Sequence, residues 1–368
     1  MKLLALAALL ACISLASAAV TLTLTDNMKL PSNYGGNQVT GAKTYTYDQN
    51  VGEKNAIMDN FVFVVGETGF LHVIDTTKHA SASSKIVDMY NLGAPATDVS
   101  ACVAPIRATY SVGLNSVVQE RLLAVSTINA DGSKQSPGRV LLFTVNDDIT
   151  PRVLTFKREF STVGSLPDQI KWTKDCRAII AAIEGEAKLT TNPSPNPPSL
   201  NNPLGGIAVL RFRENDNIAD DSSATFLFYD FENYVAANSL EMLNDGVRWC
   251  MRPDTKSTFD KNEAGVVIAD AEATFARDLE PEYLALASDG RTVYVSLQEN
   301  SAIATFDLST NSFTQVKALE PKDWSKTNEG LDASNKDEKS TCDSGTFSGC
   351  SCPTPLTSTR RPTESSTS

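Results

Sequence analysis

The stretch LEPEYLALASDGRTVYVSLQENSAIATFD, residues 279–307, is the part of the chain from which the fold can be predicted. It divides into three short apolar segments separated by two polar turns, at 288–291 and 298–301. Alternation of apolar and polar residues between turn residues is typical of strands in an antiparallel meander. We therefore predict three successive strands in this stretch.

Three other parts of the chain repeat portions of this unit. Residues 167–186 align without a gap on 281–300, and residues 61–75 align without a gap on 293–307. A weaker copy covers 121–126 and 139–146, so apolar strands begin near 61, 122, 179 and 293. This spacing indicates a repeat of roughly 60 residues, with one copy near 236 replaced by other sequence. Self-similarity at such a period is typical of propellers and other repeat arrays.

We predict an all-β fold, a β-propeller-like repeat of antiparallel meander blades. An antiparallel sandwich is the alternative, because its strands also resemble one another. The two ungapped alignments share turn acids as well as apolar positions, and this favours the propeller. Apolar residues at helical spacing within 231–247 predict one short helix.

The ends of the chain differ in composition from its middle. Residues 1–18 have the single charge, short apolar run and small-residue end of a signal peptide. Residues 19–337 are predicted to form the propeller-like domain, and 338–368 a disordered tail rich in Ser and Thr. No other segment approaches the ~20 apolar residues of a membrane span. We expect a secreted, extracellular protein without a transmembrane anchor.

The formal net charge of −12 limits the classes of partner. An acidic surface disfavours nucleic acid and anionic membranes, and it is compatible with hard cations such as Ca²⁺. Plain solubility explains the same charge. No cofactor is predicted with certainty, and Ca²⁺ is the one candidate.

Six cysteines follow the predicted signal peptide, and sequence alone does not choose among their pairings. Cys102 lies in an apolar run, which fits a buried free thiol. Cys176 takes the turn position that Gly290 holds in the aligned copy, so we expect it to be exposed. Cys342, Cys350 and Cys352 cluster in the predicted tail.

The sequence lacks the motifs of common catalytic sites. The chain has only two histidines, His72 and His79, so a Ser-His-Asp triad or a His-rich metal site is disfavoured. It also has no G-x-S-x-G motif, phosphate-binding loop or H-E-x-x-H motif. No catalytic residue is predicted.

With those motifs absent, the repeated carboxylates are the remaining candidates for a functional site. They lie at equivalent turns or at the entry to the first strand of a unit, so blades around a ring would bring them to one face. Converging carboxylate oxygens suit Ca²⁺. Alternatively, turn acids simply accept hydrogen bonds from turn backbone N–H groups, as we expect for Asp75, Asp289 and Asp307. The candidate Ca²⁺ ligands are Glu67, Asp168, Glu184, Glu186, Glu282 and Glu299.

The stretch 279–307, together with SLPD at 165–168, EGE at 184–186 and GLDASNKD at 330–337, resembles the mesenchyme-specific cell-surface glycoprotein family of biomineralising animals. The same domain occurs in bacteria as the choice-of-anchor type I domain. The resemblance covers roughly 50–337 and implies a secreted propeller-like domain of calcified skeleton or shell matrix, without defined catalytic residues. Family members continue with more blades after GLDASNKD, so this chain is expected to be truncated. It would then close with fewer blades, pair with another chain or be an incomplete gene product.

Two functions follow as hypotheses. The first is an extracellular matrix protein associated with biomineralisation, which binds Ca²⁺, a mineral surface or matrix partners through its acidic turns. The second is a metal-dependent phosphoester hydrolase of propeller type, with metals near Glu184, Glu282 and Glu299. The scarcity of histidine and the missing nucleophile motif place the hydrolase second.

Overall fold

The computed structural model describes residues 30, 33–35, 44–46, 52–78, 85–104, 107–111, 114–118, 120–146, 152–190, 199–213, 218, 224–250 and 274–320. The predicted signal peptide, the predicted tail and Cys342, Cys350 and Cys352 lie outside these residues. Within them the structure consists of β-strands, turns and one longer helix.

A short antiparallel hairpin precedes the first four-stranded sheet. The hairpin is formed by β1 (Asn33–Gly35) and β2 (Thr44–Thr46). The first sheet pairs its strands in chain order: β3 (Lys54–Met58), β4 (Phe61–Val65), β5 (Phe70–Asp75) and β6 (Ile86–Asn91).

The second sheet repeats this meander with an insertion after its first strand. The first strand is β7 (Ala96–Val103), and a hairpin of β8 (Arg107–Ser111) and β9 (Leu114–Val118) follows it. The sheet is completed by β10 (Arg121–Thr127), β11 (Arg139–Val145) and β12 (Leu154–Phe160), in the order β7-β10-β11-β12.

The third sheet carries its insertion one strand later. Its first strands are β13 (Pro167–Trp172) and β14 (Ala178–Ile183), followed by a hairpin of β15 (Lys188–Thr190) and β16 (Ser199–Asn201). The sheet closes with β17 (Gly206–Arg211) and β18 (Phe226–Asp230).

A helix and the fourth sheet complete the described part of the chain. The helix is α1 (Glu232–Asp245), as predicted for 231–247, and it ends at Gly246 in the left-handed region with φ 103°. The fourth sheet consists of β19 (Pro281–Leu286), β20 (Thr292–Leu297), β21 (Ala302–Asp307) and β22 (Ser312–Ala318).

The hydrophobic core lies between successive sheets. In β14 every residue is buried, and alternate side chains face different neighbours. Ile179, Ala181 and Ile183 pack against the second sheet, whereas Ala178, Ile180 and Ala182 pack against the fourth. A strand that is covered on both faces is apolar throughout, so this pattern shows that the sheets stack face to face as blades.

The first strands of neighbouring sheets contact one another. Asp98 in β7 accepts a hydrogen bond from the backbone N–H of Ile170 in β13, at 3.0 Å. Gln169 in β13 accepts one from the backbone N–H of Leu284 in β19, at 2.7 Å. Ile170 and Leu284 are equivalent in the sequence alignment, so the same contact joins successive blades. The innermost strands are therefore β3, β7, β13 and β19.

The predicted fold class is confirmed: the described residues form four antiparallel four-stranded sheets with a repeated meander. The predicted strand starts near 61, 122, 179 and 293 are the second strands of these four sheets. The expected role of three turn acids is also confirmed. Each of the three carboxylates accepts a hydrogen bond from the backbone N–H two residues later in the chain. The pairs are Asp75 with Thr77, Asp289 with Arg291 and Asp307 with Ser309.

The predictions for two cysteines were wrong. Cys102 is not a free thiol, and Cys176 is not exposed, because the two form a disulfide with Cα atoms 5.9 Å apart. Cys176 does adopt the left-handed conformation of its equivalent Gly290, with φ 57° against 67°. Its side chain, however, faces the first strand of the preceding blade, where Cys102 lies. Cys250 takes no part in a disulfide among the described cysteines, and its Sγ donates a hydrogen bond to the carbonyl oxygen of Glu299, at 3.4 Å.

Candidate functional site

The strand register brings five of the six predicted ligands to one end of the third and fourth sheets. In the third sheet Pro167 pairs with Ile183, so Asp168 near the start of β13 lies beside the turn after β14, which carries Glu184 and Glu186. In the fourth sheet Pro281 pairs with Leu297, which places Glu282 beside the turn that carries Glu299 in the same way. These five residues, together with Glu280, are called the carboxylate cluster below.

The sixth predicted ligand differs from these five. Glu67 occupies the corresponding turn of the first sheet, between β4 and β5, and its side chain is exposed. It is not among the principal groups that raise the pKa values of the cluster.

Burial and mutual repulsion raise the pKa values of the carboxylate cluster. Burial, followed by repulsion from Asp168, Glu186 and Glu282, raises the pKa of Glu184 to about 8. Burial and the negative charges of Glu299 and Glu184 raise the pKa of Glu280 to about 9. Loss of hydration and nearby like charges both disfavour the ionised form of a carboxyl group. At neutral pH part of the cluster therefore keeps its protons.

Glu282 and Glu299 are neighbours in the cluster, and each affects the pKa of the other. Burial raises the pKa of Glu282 to about 7, and the neighbouring Glu299 adds to this effect. The pKa of Glu299 is also raised, because burial outweighs the hydrogen bonds that it accepts. Part of the Glu282 carboxyl population therefore remains protonated near neutral pH.

Two lysines supply positive charge to the cluster. Lys54 of β3 donates a hydrogen bond from Nζ to the hydroxyl of Tyr283, at 2.8 Å, and its ammonium group lies 4.4 Å from the centroid of that ring. Burial lowers the pKa of Lys54, but Tyr283 and Asp168 raise it further, so the net shift is upward. Lys134 forms an ion pair with Glu186, with Nζ 2.7 Å from Oε2. Two ammonium groups thus face six carboxyl groups.

A buried asparagine fixes the backbone on which two of the carboxylates stand. The amide nitrogen of Asn300 donates to the carbonyl oxygen of Asp278 at 2.7 Å, to the Asp278 carboxylate at 3.0 Å and to the Arg248 carbonyl at 3.0 Å. Its amide oxygen accepts the N–H of Glu280 at 3.3 Å. Asn300 therefore links the turn that carries Glu299 to the segment that carries Glu280.

A close backbone approach joins the third and fourth sheets beneath the cluster. A Cβ atom at Gly205 would lie 2.3 Å from the carbonyl oxygen of Leu279 and 2.8 Å from that of Glu184. Side chains do not tolerate such distances, so only glycine fits at this position. The absence of a side chain at Gly205 allows the segments before β19 and after β14 to come together.

Within the described residues, no three His, Cys, Asp or Glu side chains stand in an arrangement that could already hold a metal ion. The identity of the six residues as Ca²⁺ ligands stays a prediction. Glu280, which precedes β19, was not among the ligands predicted from the sequence. Lys54, Lys134 and Asn300 were not predicted either. The two lysines reach the cluster from segments far away in the chain, Asn300 follows Glu299 directly, and no sequence motif marks any of them.

Comparisons with known proteins place the chain in a family. The sequence profile of the choice-of-anchor I domain matches residues 55–363, most of the chain. A search of curated proteins found no match. In the described part of the chain, no helix has the length and apolar character needed to cross a bilayer. The family description indicates a protein of the cell surface or the extracellular space. With its propeller-like blades and this match, the chain belongs to the choice-of-anchor I domain family.

Proposed function

We propose that the protein is a secreted extracellular matrix protein that binds Ca²⁺ at the carboxylate cluster. The observation that carries this proposal is the accumulation of Asp168, Glu184, Glu280, Glu282 and Glu299 in a partly buried site, where burial raises each pKa and, for all but Asp168, neighbouring carboxylates raise it further. A divalent cation that binds between carboxylates lowers the electrostatic free energy of the site, because it offsets their mutual repulsion. Hard oxygen ligands of this kind are those that Ca²⁺ prefers.

The carboxylates of the cluster need not supply the whole coordination shell of the cation. Ca²⁺ takes six to eight oxygen ligands, often including water molecules, at 2.3–2.6 Å. We propose that the cation displaces protons from the carboxyl groups whose pKa values are raised, and draws the neighbouring carboxylates towards it. Lys54 and Lys134 then limit the negative charge that remains, so a single cation suffices.

The extracellular setting and the association with mineral are part of the proposal. The signal-peptide pattern at residues 1–18 and the family membership support secretion. The resemblance to the mesenchyme-specific glycoprotein family supports a calcified matrix as the place of action. Bound Ca²⁺, or carboxylates that bind Ca²⁺ of a crystal lattice, provides the physical link to a mineral surface or to acidic matrix partners.

Calorimetry with CaCl₂ on the chain without residues 1–18 tests the cation site. We expect one Ca²⁺ to bind with a dissociation constant of about 10⁻⁴–10⁻³ M, the range of extracellular modules. Glu282→Gln together with Glu299→Gln should weaken binding at least about tenfold. Glu241→Gln, on the exposed face of α1, is the control and should bind like the wild type. Failure to bind at millimolar Ca²⁺, or to adsorb to calcium carbonate, contradicts the proposal.

A phosphoester hydrolase is the second candidate, and one observation favours it. Burial and the neighbouring Glu299 raise the pKa of Glu282 to about 7, which suits a general acid or base at neutral pH. Assays with a generic phosphomonoester in the presence of Ca²⁺, Mg²⁺ or Mn²⁺ distinguish the two functions. Turnover by the wild type that is lost in Glu282→Gln supports the hydrolase. If the wild type shows no turnover, this candidate is removed.

A further inference from the structure

A cavity of about 390 Å³ is lined by β18 of the third sheet, by the first half of α1 and by residues 311–313, where β22 begins. Its volume lies within the range of small-ligand pockets, about 300–1,000 Å³. The three segments meet because α1 follows β18 directly in the chain and packs against β22. No residue of the carboxylate cluster is among the described residues that line the cavity, so it is a separate candidate site.

Two aromatic side chains of the lining are fixed by other rings of the core. Phe313 of β22 stacks on Phe231, with ring centroids 3.8 Å apart, and meets Phe306 edge-on at 5.1 Å. Tyr229 of β18 contacts the same Phe306 ring, at 5.6 Å. Close packing of this kind holds side chains in single rotamers. The cavity therefore has a preformed aromatic wall.

Two amide side chains of the lining are also held in place, and both keep hydrogen-bonding capacity. Nδ2 of Asn238 donates to the carbonyl oxygen of Tyr234, one helical turn earlier, at 2.8 Å. Oδ1 of Asn311 accepts a hydrogen bond from the guanidinium group of Arg211, at 2.8 Å. A side-chain amide has two N–H donors and one carbonyl acceptor. Asn238 therefore keeps its oxygen and one N–H for a ligand, and Asn311 keeps both N–H groups.

A hydroxyl group and a carboxylate complete the polar lining. The hydroxyl oxygen of Tyr234 accepts the backbone N–H of Val316, at 2.9 Å, and its own proton remains available as a donor. Oδ1 of Asp230 accepts the backbone N–H of Glu232, at 2.9 Å, which leaves Oδ2 as an acceptor. Among the described residues that line the cavity, Asp230 is the one charged residue. The lining thus offers an anionic ligand no positive partner.

We propose that this cavity binds a neutral saccharide of one or two sugar rings. A sugar ring combines a face of C–H groups with hydroxyl groups that both donate and accept hydrogen bonds. The aromatic wall fits the C–H face, because the face of an aromatic ring is apolar and weakly negative. The remaining donors and acceptors of Asn238, Asn311 and Tyr234 fit the hydroxyl groups. An apolar ligand would leave these polar groups without partners, which is unfavourable.

Ligand-observed NMR titration of the purified protein tests this proposal, with the methyl glycosides of glucose, galactose, mannose and N-acetylglucosamine as probes. We expect at least one of them to bind with a dissociation constant on the order of 1 mM. Methyl β-D-glucuronide should bind more weakly than the tightest neutral glycoside, because it brings a second carboxylate to Asp230.

Two variants remove the amides at positions where the new residue suits the backbone. Leu is a better helix former than Asn, so Asn238→Leu should fold. Asn311 has a φ of 53°, which Gly adopts readily, so Asn311→Gly should fold as well. Each should bind the glycoside at least about tenfold more weakly. Asn244→Leu, exposed on the same helix and outside the cavity, is the matched control and should bind like the wild type.

Any of three results overturns the proposal. The first is that none of the four glycosides binds to the wild type. The second is that Asn238→Leu and Asn311→Gly weaken binding no more than Asn244→Leu does. The third is that cyclohexanol binds as tightly as the glycosides, which would assign an apolar pocket. Ca²⁺ binding to Asn238→Leu should equal that of the wild type, so this site is tested independently of the cation site.

Discussion

Glu282 lies beside Glu299 in the fourth sheet, and burial together with the negative charge of Glu299 raises the pKa of Glu282 well above that of an ordinary carboxyl group. The pKa of Glu282 is raised from 4.5 to about 7, that of Glu184 to about 8 and that of Glu280 to about 9. The folded chain therefore binds more protons than the unfolded chain between about pH 4.5 and 9.

Stability without divalent cations should fall as pH rises through this window. Protons bound more tightly by the folded state stabilise it fully below the unfolded pKa, and this contribution disappears as pH passes the folded pKa. We expect the melting temperature to decrease from pH 5 to pH 9, and Ca²⁺ to restore it at pH 8–9. Glu282→Gln, which keeps this position neutral, should flatten the decrease. An unchanged melting temperature across the window would contradict the raised pKa values of the cluster.

Removal of the Asn300 side chain should destabilise the protein and weaken its cation site. Asn300→Ala leaves the Asp278 carboxylate, the Arg248 carbonyl and the Glu280 N–H without this partner in a buried region. A buried polar group that loses its partner costs about 1–3 kcal/mol, so we expect a loss of about 2–4 kcal/mol in urea unfolding. Gln298→Ala, exposed in the same turn, is the control, and an equal loss in both variants would refute the role of Asn300.

The Cys102–Cys176 disulfide should stabilise the junction of the second and third sheets. It closes a loop with a sequence separation of 74 residues, for which the chain-entropy treatment gives about 4 kcal/mol. We expect Cys102→Ala combined with Cys176→Ala to lower the free energy of unfolding by about 2–4 kcal/mol. A reducing agent should affect this variant less than the wild type. Equal free energies of unfolding for the wild type and the double variant would show that the disulfide does not stabilise the protein.

Gly205→Ala should separate the third and fourth sheets at the carboxylate cluster. The added methyl group meets the carbonyl oxygens of Leu279 and Glu184, and overpacking of this kind costs about 1–3 kcal/mol. Gly52→Ala is the comparison, because its new methyl group meets methyl groups of Val64 and Leu30 at 3.1 and 3.3 Å, which can move. We expect Gly205→Ala to lose more stability in urea unfolding and to lose Ca²⁺ affinity. A larger loss of stability in Gly52→Ala than in Gly205→Ala would contradict the close backbone approach at Gly205.

The gathering of Asp168, Glu184, Glu282 and Glu299 was predictable from sequence because two regularities combine. The offset of 114 residues relates Asp168 to Glu282, and antiparallel pairing returns the chain to the same end after two strands. The repeated turn acids could be assigned for the same reason, since their backbone partners lie two residues away.

The contacts between sheets and the last strand of the fourth sheet could not be predicted from the sequence repeat. Lys54 meets Tyr283 across 229 residues, and the disulfide joins adjacent blades, so both depend on the packing of whole sheets. The last strand of the fourth sheet was missed because it lies at an edge. Of its seven residues only Phe313 and Val316 are buried, and this leaves too weak an apolar alternation to detect.

The number of protons released when Ca²⁺ binds tests the central claim most directly. Calorimetric titrations at pH 7, in buffers of different ionisation enthalpy, give this number. Because Glu184 and Glu280 have pKa values of about 8 and 9, and carboxylates bind metals in their ionised form, we expect about one to two protons to be released. Binding without proton release, or no binding, would contradict a cation site built from these carboxylates.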